Sequence, residues 1–274
     1  MLFDIQGVGS AWYPFKYSMS HAMEACARAG IPFVVLDRPN PLGGRVVEGP
    51  FLGVGGNMYR HDLPLRHGMT YGELATMWND TEGYGAALTV VTMKGWRRSM
   101  TWDDTGLLWV MPSPNMGTLE TAIVYPGQCL FERTNMSEGR GTTKPFLMVG
   151  APWVDCARAV EDLNSRGIDG AVFRPAHFIP RRLREGGRRD KPWNRMSCGI
   201  EIMLTDYKAY RSVEAALHII DACRATNPDS LVWSPPEILR QLDEPGMTVE
   251  QVVERAQEDV AEFVELRREY LLYR

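Results

Sequence analysis

The sequence lacks any apolar run approaching the roughly 20 residues that cross a bilayer as a helix, and its N-terminus has no charged stretch leading into an apolar core and cleavage site. Neither a membrane span nor a secretory leader is expected. Cysteine is scarce: Cys26, Cys129, Cys156, Cys198 and Cys223 are odd in number and scattered, with no C-x-x-C pair. Buried free thiols are therefore expected, rather than a disulfide framework or a zinc site. Positive charge is not in excess either, with 30 Lys plus Arg against 34 Asp plus Glu and a net charge of −4, so no overall field holds a nucleic-acid backbone. A nucleic-acid partner is not expected.

Several signature strings are also missing. Gly7 and Gly9 give G-x-G with Trp12 where a third glycine belongs, and Gly139, Gly141 and Lys144 do not make a P-loop. There is no G-x-S-x-G elbow, and the five histidines (His21, His61, His67, His177, His218) never fall at H-x-H or H-x-x-x-H spacing. Nucleotide, serine-hydrolase and zinc chemistries are disfavoured, and no cofactor or metal is expected.

What is present is the ordinary composition of a globular protein: 274 residues, 45% hydrophobic and 23% charged, enough for one large domain or two modest ones. Met1 to Ile5 reads as a core strand at the very start. Tyr17 to Ala29 has helical spacing and stops at Gly30, and Phe33 to Leu36 is a short buried strand. A strand, a helix and a strand in that span match a right-handed crossover and hence a parallel sheet. Thr70 and Glu73 make a capping box for a helix through Trp78, and Ala87 to Met93 gives another strand. From about Gly150 the pattern changes: a helix at Asp155–Arg166, strands at Ala171–Phe178 and Gly199–Thr205, and helices at Arg211–Ala225 and from Thr248 towards Tyr270. The expected fold class is α/β, a parallel-sheet domain over 1–148 followed by a smaller α+β domain over 149–274.

The loops between these elements are rich in turn formers: RPNPLGG (Arg38 to Gly44), MPSPN (Met111 to Asn115) and SEGRGTT (Ser137 to Thr143). In open α/β sheets ligands sit at the carboxyl ends of strands, where such loops gather. Glu48, in V-E-G-P, lies on a segment stiffened by Pro50 and the earlier Pro39 and Pro41; it reads either as a fixed reactive carboxylate or as a loop glutamate bonding nearby amides. Glu138 and Arg140 flank Gly139 and read either as an acid and a guanidinium aimed at one ligand or as a mutual salt bridge bracing the loop. Trp96, Trp102, Trp109 and Trp153, with the amides of Asn40, Asn115 and Asn135, suit a polar ring-shaped ligand such as a sugar, although each tryptophan singly reads as core. Arg181 to Arg195 holds seven basic residues against Glu185 and Asp190, and a solvated insertion is expected there.

A family resemblance draws these loops together. FDIQGVG (Phe3 to Gly9), LDRPNPLGG (Leu36 to Gly44), VEGP (Val47 to Pro50), RHGMTYGELA (Arg66 to Ala75), GWRR (Gly95 to Arg98), DDTGLLWVMPSPNM (Asp103 to Met116), YPGQCLFERTNMSEGRGTTKPF (Tyr125 to Phe146) and GAPW (Gly150 to Trp153) closely resemble the strings of NamZ-type exo-β-N-acetylmuramidases. The resemblance implies a Rossmann-like N-terminal domain, a smaller C-terminal domain and a glycoside hydrolase that removes N-acetylmuramic acid from non-reducing ends of peptidoglycan fragments. Family members are often secreted or periplasmic. Glu48 occupies the place of one proposed catalytic glutamate. Asp4, Gln6, Arg38, Asn40, His67, Asn115, Asn135, Ser137, Glu138 and Arg140 fall in the matching strings and are expected to shape the sugar site, with Arg140 expected on the lactyl carboxylate.

Some features depart from the family pattern. The second proposed glutamate lies in a G-P-E-H-G string upstream of the opening strand, and these residues contain no such string. Glycosidases commonly place two carboxyls across the bond, ~5–5.5 Å apart for retention and ~6.5–9.5 Å for inversion. The readings left open are a start placed late, a fragment completed by another chain, and a carbohydrate-binding relative without turnover. Gly7, Pro14 and Arg133 also differ from the usual residues. A larger domain that is incomplete at its start would expose a sheet edge, so oligomerisation through that edge is a further expectation.

Overall fold

The computed structural model describes residues 1–53, 60–182, 190–234 and 240–274. The part of the basic segment at 183–189 therefore lies outside the described residues. Two compact units are formed, one by 1–112 together with 257–274 and the other by 113–256.

The first unit begins with β1 (Leu2–Phe3), α1 (Phe15–Arg28) and β2 (Phe33–Leu36). β1 and β2 run parallel with Leu2 opposite Val34, the crossover that the apolar pattern predicts. The chain continues through β3 (Glu48–Phe51), β4 (Pro64–Arg66), α2 (Tyr71–Thr81) and β5 (Leu88–Val91). β5 adds parallel to the far side of β2, giving the order β1-β2-β5, while β3 and β4 form a separate antiparallel pair. Thr70 and Glu73 do close a capping box at the start of α2. α1 has no side-chain cap at Pro14; instead the buried Lys16 gives its Nζ to the carbonyls of Ser10, Ala11 and Tyr13 at 2.8, 2.8 and 2.6 Å. A lysine buried here is tolerated because its three donors are all used. The helices meet where Tyr17 stacks on Trp78, ring centroids 6.2 Å apart.

Gly9 illustrates how tightly the loop after β1 is drawn in. Its φ is +72°, and an added Cβ would lie 2.3 Å from Asn40 Oδ1, so both conformation and space require glycine. The unit is completed by α7 (Gln257–Arg267), which contacts β3, and by the chain end. There Arg98 N–H donates to the Arg274 carbonyl at 3.0 Å, and the Tyr273 hydroxyl donates to Asp37 at 2.7 Å.

The second unit contains α3 (Leu119–Gln128), β6 (Met148–Ala151), α4 (Cys156–Ser165), β7 (Ala171–Phe178), β8 (Ser197–Leu204), α5 (Ser212–Thr226) and α6 (Val249–Arg255). Its three strands are antiparallel in the order β6-β8-β7 and carry α4 against them. α3, on the N-terminal side of the division read at 148/149, packs here against α5. The C-terminal helix expected as one element is divided into α6 and α7 at Ala256.

The cysteines correct an expectation. Cys156 and Cys198 form a disulfide, with Cα atoms 5.5 Å apart and a sequence separation of 42. The pairing arises because α4 packs on β8, a contact between distant segments that spacing alone does not reveal. Cys26, Cys129 and Cys223 are buried free thiols as expected. Among the described residues no helix is long and apolar enough to cross a membrane.

Candidate active site

Glu48 is not on a loop: it is the first residue of β3, directly opposite Arg66 of β4. Only 8% exposed, its carboxylate accepts from Arg66 Nη1 at 2.8 Å, while Arg66 Nη2 donates to the Leu42 carbonyl at 2.8 Å. Leu42 N–H in turn donates to Asn40 Oδ1 at 3.0 Å, and Asn40 Nδ2 to the Met69 carbonyl at 3.0 Å. A continuous polar chain thus fixes the VEGP, RPNPLGG and RHGMT strings to one another. Burial that would penalise a lone charge is offset by a guanidinium at hydrogen-bond distance.

The exposed Asp4 and Arg38 meet beyond the carboxyl ends of β1 and β2, Arg38 Nε donating to Asp4 Oδ1 at 2.7 Å. Gln6 Nε2 donates to the Gly7 and Pro39 carbonyls at 2.7 and 2.9 Å. Arg38 and Asn40 line a shallow depression with Gly7, Gly9, Met69 and Tyr71. The position agrees with the strand-end rule for ligands in parallel sheets. His67 lies deep beside these loops. Its Nδ1 accepts from Met69 N–H at 3.2 Å, and burial, with Lys16, Arg267 and Arg98 nearby, pushes its pKa well below the ordinary imidazole range. It is a neutral imidazole.

Asp37, next to Arg38, was not singled out by the sequence. It accepts from Thr70 Oγ1 at 2.7 Å, Gly72 N–H at 2.8 Å and the Tyr273 hydroxyl at 2.7 Å, so it ties the end of β2 to the start of α2. Burial raises its pKa despite these donors. Arg98, Glu73 and Arg267 form a second support: Arg98 donates to Glu73 at 2.6 Å, and both arginines donate to the Gly68 carbonyl.

The remaining expected residues lie in the second unit. Glu138 is 2% exposed and takes Lys191 Nζ on Oε2 at 2.8 Å and Arg140 on Oε1 at 3.2 Å. Burial acts to raise its pKa, but Lys191 and Arg140 outweigh it and hold the carboxylate below its usual range. Arg140 also pairs with Glu132 at 2.6 Å and lies 4.7 Å over the Phe146 ring. Of the two readings of this loop, the geometry contains the mutual salt bridge. Ser137 Oγ accepts from Gly139 N–H at 3.0 Å, and its backbone pairs with Gly150. Both amide atoms of Asn135 are spent on the Ser230 carbonyl and Val232 N–H, at 2.8 and 3.1 Å. Asn115 is half-buried before α3.

Lys191, read from sequence as part of a solvated insertion, is buried. Its Nζ donates to the Phe131 and Met136 carbonyls at 2.6 and 2.5 Å as well as to Glu138. Close by in the chain, Asn135, Pro152, Trp153, Asp190, Pro192 and Arg195 line a cavity of about 240 Å³. Trp96 and Trp102 are core residues, packed edge-on against Tyr273 and Trp109 with centroids 5.0 and 5.3 Å apart.

These features define a two-unit α/β protein with a parallel sheet whose strand ends carry polar side chains, and beside it a buried carboxylate held by a guanidinium. The chain belongs to the NamZ family of exo-β-N-acetylmuramidases: the N-terminal family model matches residues 1–120 and the C-terminal model residues 123–273. It is 39% identical to the peptidoglycan β-N-acetylmuramidase NamZ of Bacillus subtilis, over all of this chain and 67% of that protein. Crystal structures of two DUF1343-family proteins from Bacteroides fragilis share the fold, with TM-scores of 0.88 and 0.73 at 30% and 28% identity; the whole of this chain covers 74% and 75% of theirs.

Proposed function

We propose that the protein is a glycoside hydrolase of peptidoglycan that releases N-acetylmuramic acid from non-reducing ends. The reading is carried by the 39% identity, sustained along the entire chain, to an enzyme of that name. Glu48 is the reactive carboxylate present in these residues. Arg66 donates to its carboxylate at 2.8 Å, an arrangement that suits Glu48 to act as a base on water or as a negative partner for the oxocarbenium-like transition state. The donor is then a second carboxyl, and Glu138 is poorly suited to that part because Lys191 and Arg140 keep it ionised.

Asp4, Gln6 and Arg38 are placed to bond sugar hydroxyl and acetamido groups at the strand ends. For the lactyl carboxylate both Arg140 and Arg38 are candidates. Arg140 is already shared between Glu132 and Glu138, whereas Arg38 has one exposed partner, so Arg38 is the better placed of the two. Asn40, His67, Asn135 and Ser137 act through the loops they hold, and the cavity beside Trp153 offers room for further sugar contacts.

The test is release of N-acetylmuramic acid from a synthetic β-muramide by the full-length gene product. Release that is lost in Glu48→Gln supports the assignment. Saturable binding of the sugar without release would instead identify a binding protein, and full activity after Glu48→Gln would remove Glu48 from the chemistry.

A further inference from the structure

We propose that Cys156, His177 and Cys198 form a soft-cation site, closed while the two cysteines are joined as a disulfide and open to zinc(II) once that bond is reduced. The three donor atoms lie within 4.8 Å of one another, and they come from three different elements. Cys198 of β8 stands directly opposite His177 of β7, with His177 Nε2 3.4 Å from Cys198 Sγ. Cross-strand partners of this kind point to the same side of a sheet. Cys156 is the first residue of α4, the helix that packs on β7 and β8.

The local framework supports such a site. On β8 the alternation that points Ile200 and Ile202 into the buried layer also directs Cys198 to that side. Cys156 is buried, Cys198 half-buried and His177 exposed, so the cluster runs from the interior to the surface and an ion has an entry on the imidazole side. Asp155 caps α4 by accepting from Arg158 N–H, which fixes Cys156 on the first turn of this ten-residue helix. Zinc binds thiolates at ~2.3 Å and imidazoles at ~2.0–2.1 Å, which sets tetrahedral ligands roughly 3.5–3.8 Å apart. The Cys198–His177 separation already approaches that value, and the two sulfurs part by side-chain rotation over a Cα separation of 5.5 Å.

The chemistry balances with a phosphine as reductant. The phosphine gives two electrons to the S–S bond and takes oxygen from water, and two protons complete the thiols. Zinc(II) then displaces both thiol protons and takes the neutral imidazole as third ligand, leaving the fourth position for water. A protein dithiol would serve as the reductant in place of the phosphine, becoming a disulfide itself.

The experiment uses the full chain, reduced with a phosphine under inert gas, freed of reductant and titrated with zinc(II) against a chromophoric chelator; cobalt(II) serves as a spectroscopic probe. The expected result is one zinc per reduced chain and none per oxidised chain, with thiolate-to-cobalt absorption in the near ultraviolet. Cys198→Ser abolishes binding. His177→Ala, an exposed change that leaves the buried layer intact, weakens it at least tenfold and keeps the proposal testable should Cys198→Ser fail to fold. Equal zinc binding by the oxidised and reduced chains, no binding by the reduced chain, or unchanged affinity in His177→Ala overturns the proposal.

Discussion

Arg66 faces Glu48 across the β3–β4 pair and holds its carboxylate at 2.8 Å while also donating to the Leu42 carbonyl. Two substitutions separate chemistry from support here. Glu48→Gln keeps a hydrogen-bond acceptor for the guanidinium, so stability changes little while muramide hydrolysis falls by about 10²–10⁴-fold. Arg66→Met leaves the carboxylate buried without its cation and costs about 3–5 kcal/mol. Thermal melts beside kcat measurements check both, and a stable, fully active Arg66→Met variant would refute the arrangement.

Lys191 is expected to be as important to the second unit as any apolar residue. Lys191→Met removes three donors from the Phe131 and Met136 carbonyls and from Glu138, at a cost of about 2–5 kcal/mol. Adding Glu138→Gln recovers part of that loss, because the buried negative charge is then gone. A double-mutant cycle in urea measures the recovery; strict additivity would mean that the pair is not coupled.

The pH dependence of stability follows from His67. Its folded-state pKa is depressed, so the unfolded chain binds this proton more readily than the folded one. The stability it contributes is fully present above about pH 6.5 and is lost as pH falls below that value. His61 and His218 are lowered in the same direction, so the loss is shared among three imidazoles. Between pH 6.5 and 5 the midpoint of urea unfolding should fall, and less steeply in His67→Gln; carboxylates held below their usual range, such as Glu138, act only at lower pH.

Reduction of the Cys156–Cys198 disulfide frees a loop with 42 residues of sequence separation. On the chain-entropy account this lowers stability by about 4 kcal/mol. Calorimetry with and without reductant reads the shift, with Cys156→Ala/Cys198→Ala as the control in which reductant has no effect.

Gly127 sits where α3 meets α5, and an added Cβ would stand 1.8 Å from the Ser212 carbonyl oxygen. Gly127→Ala must push the helices apart and is expected to yield little soluble protein. Gly83→Ala meets nothing within 4 Å and, at a φ of +62°, is expected to cost only about 1 kcal/mol of backbone strain. Comparable soluble yields of the two would show that the α3–α5 approach is adjustable.

How much of this was readable in the sequence depended on distance along the chain. The β1–α1–β2 crossover, the Thr70–Glu73 capping box and strand β7 follow from local apolar spacing and capping chemistry, and their positions agree closely with the fold. β3 and β4 were missed because both are short and proline-bearing, and they pair through an irregular register that turn-forming residues disguise. α3 was hidden by Pro126 and Gly127 within it. Glu48 was identified from its string, but its partner Arg66 lies 18 residues away and no local pattern joins them. The same reason conceals the Cys156–Cys198 bond and the burial of Lys191, whose basic surroundings read as solvated surface.

The return of residues 257–274 to the first unit has a bearing on biosynthesis. Leu272 N–H donates to Glu73, Tyr273 to Asp37 and Arg267 to the His67 carbonyl, so these residues supply supports for loops that are translated well before them. The second unit is an insertion in the first, and on the ribosome it has all of its own chain before the first has its final helix. Vectorial folding should therefore finish the second unit early and leave the Glu48 region waiting until residues 257–274 have emerged. Substitutions within 267–273 would disturb loops far earlier in the sequence more than their position suggests.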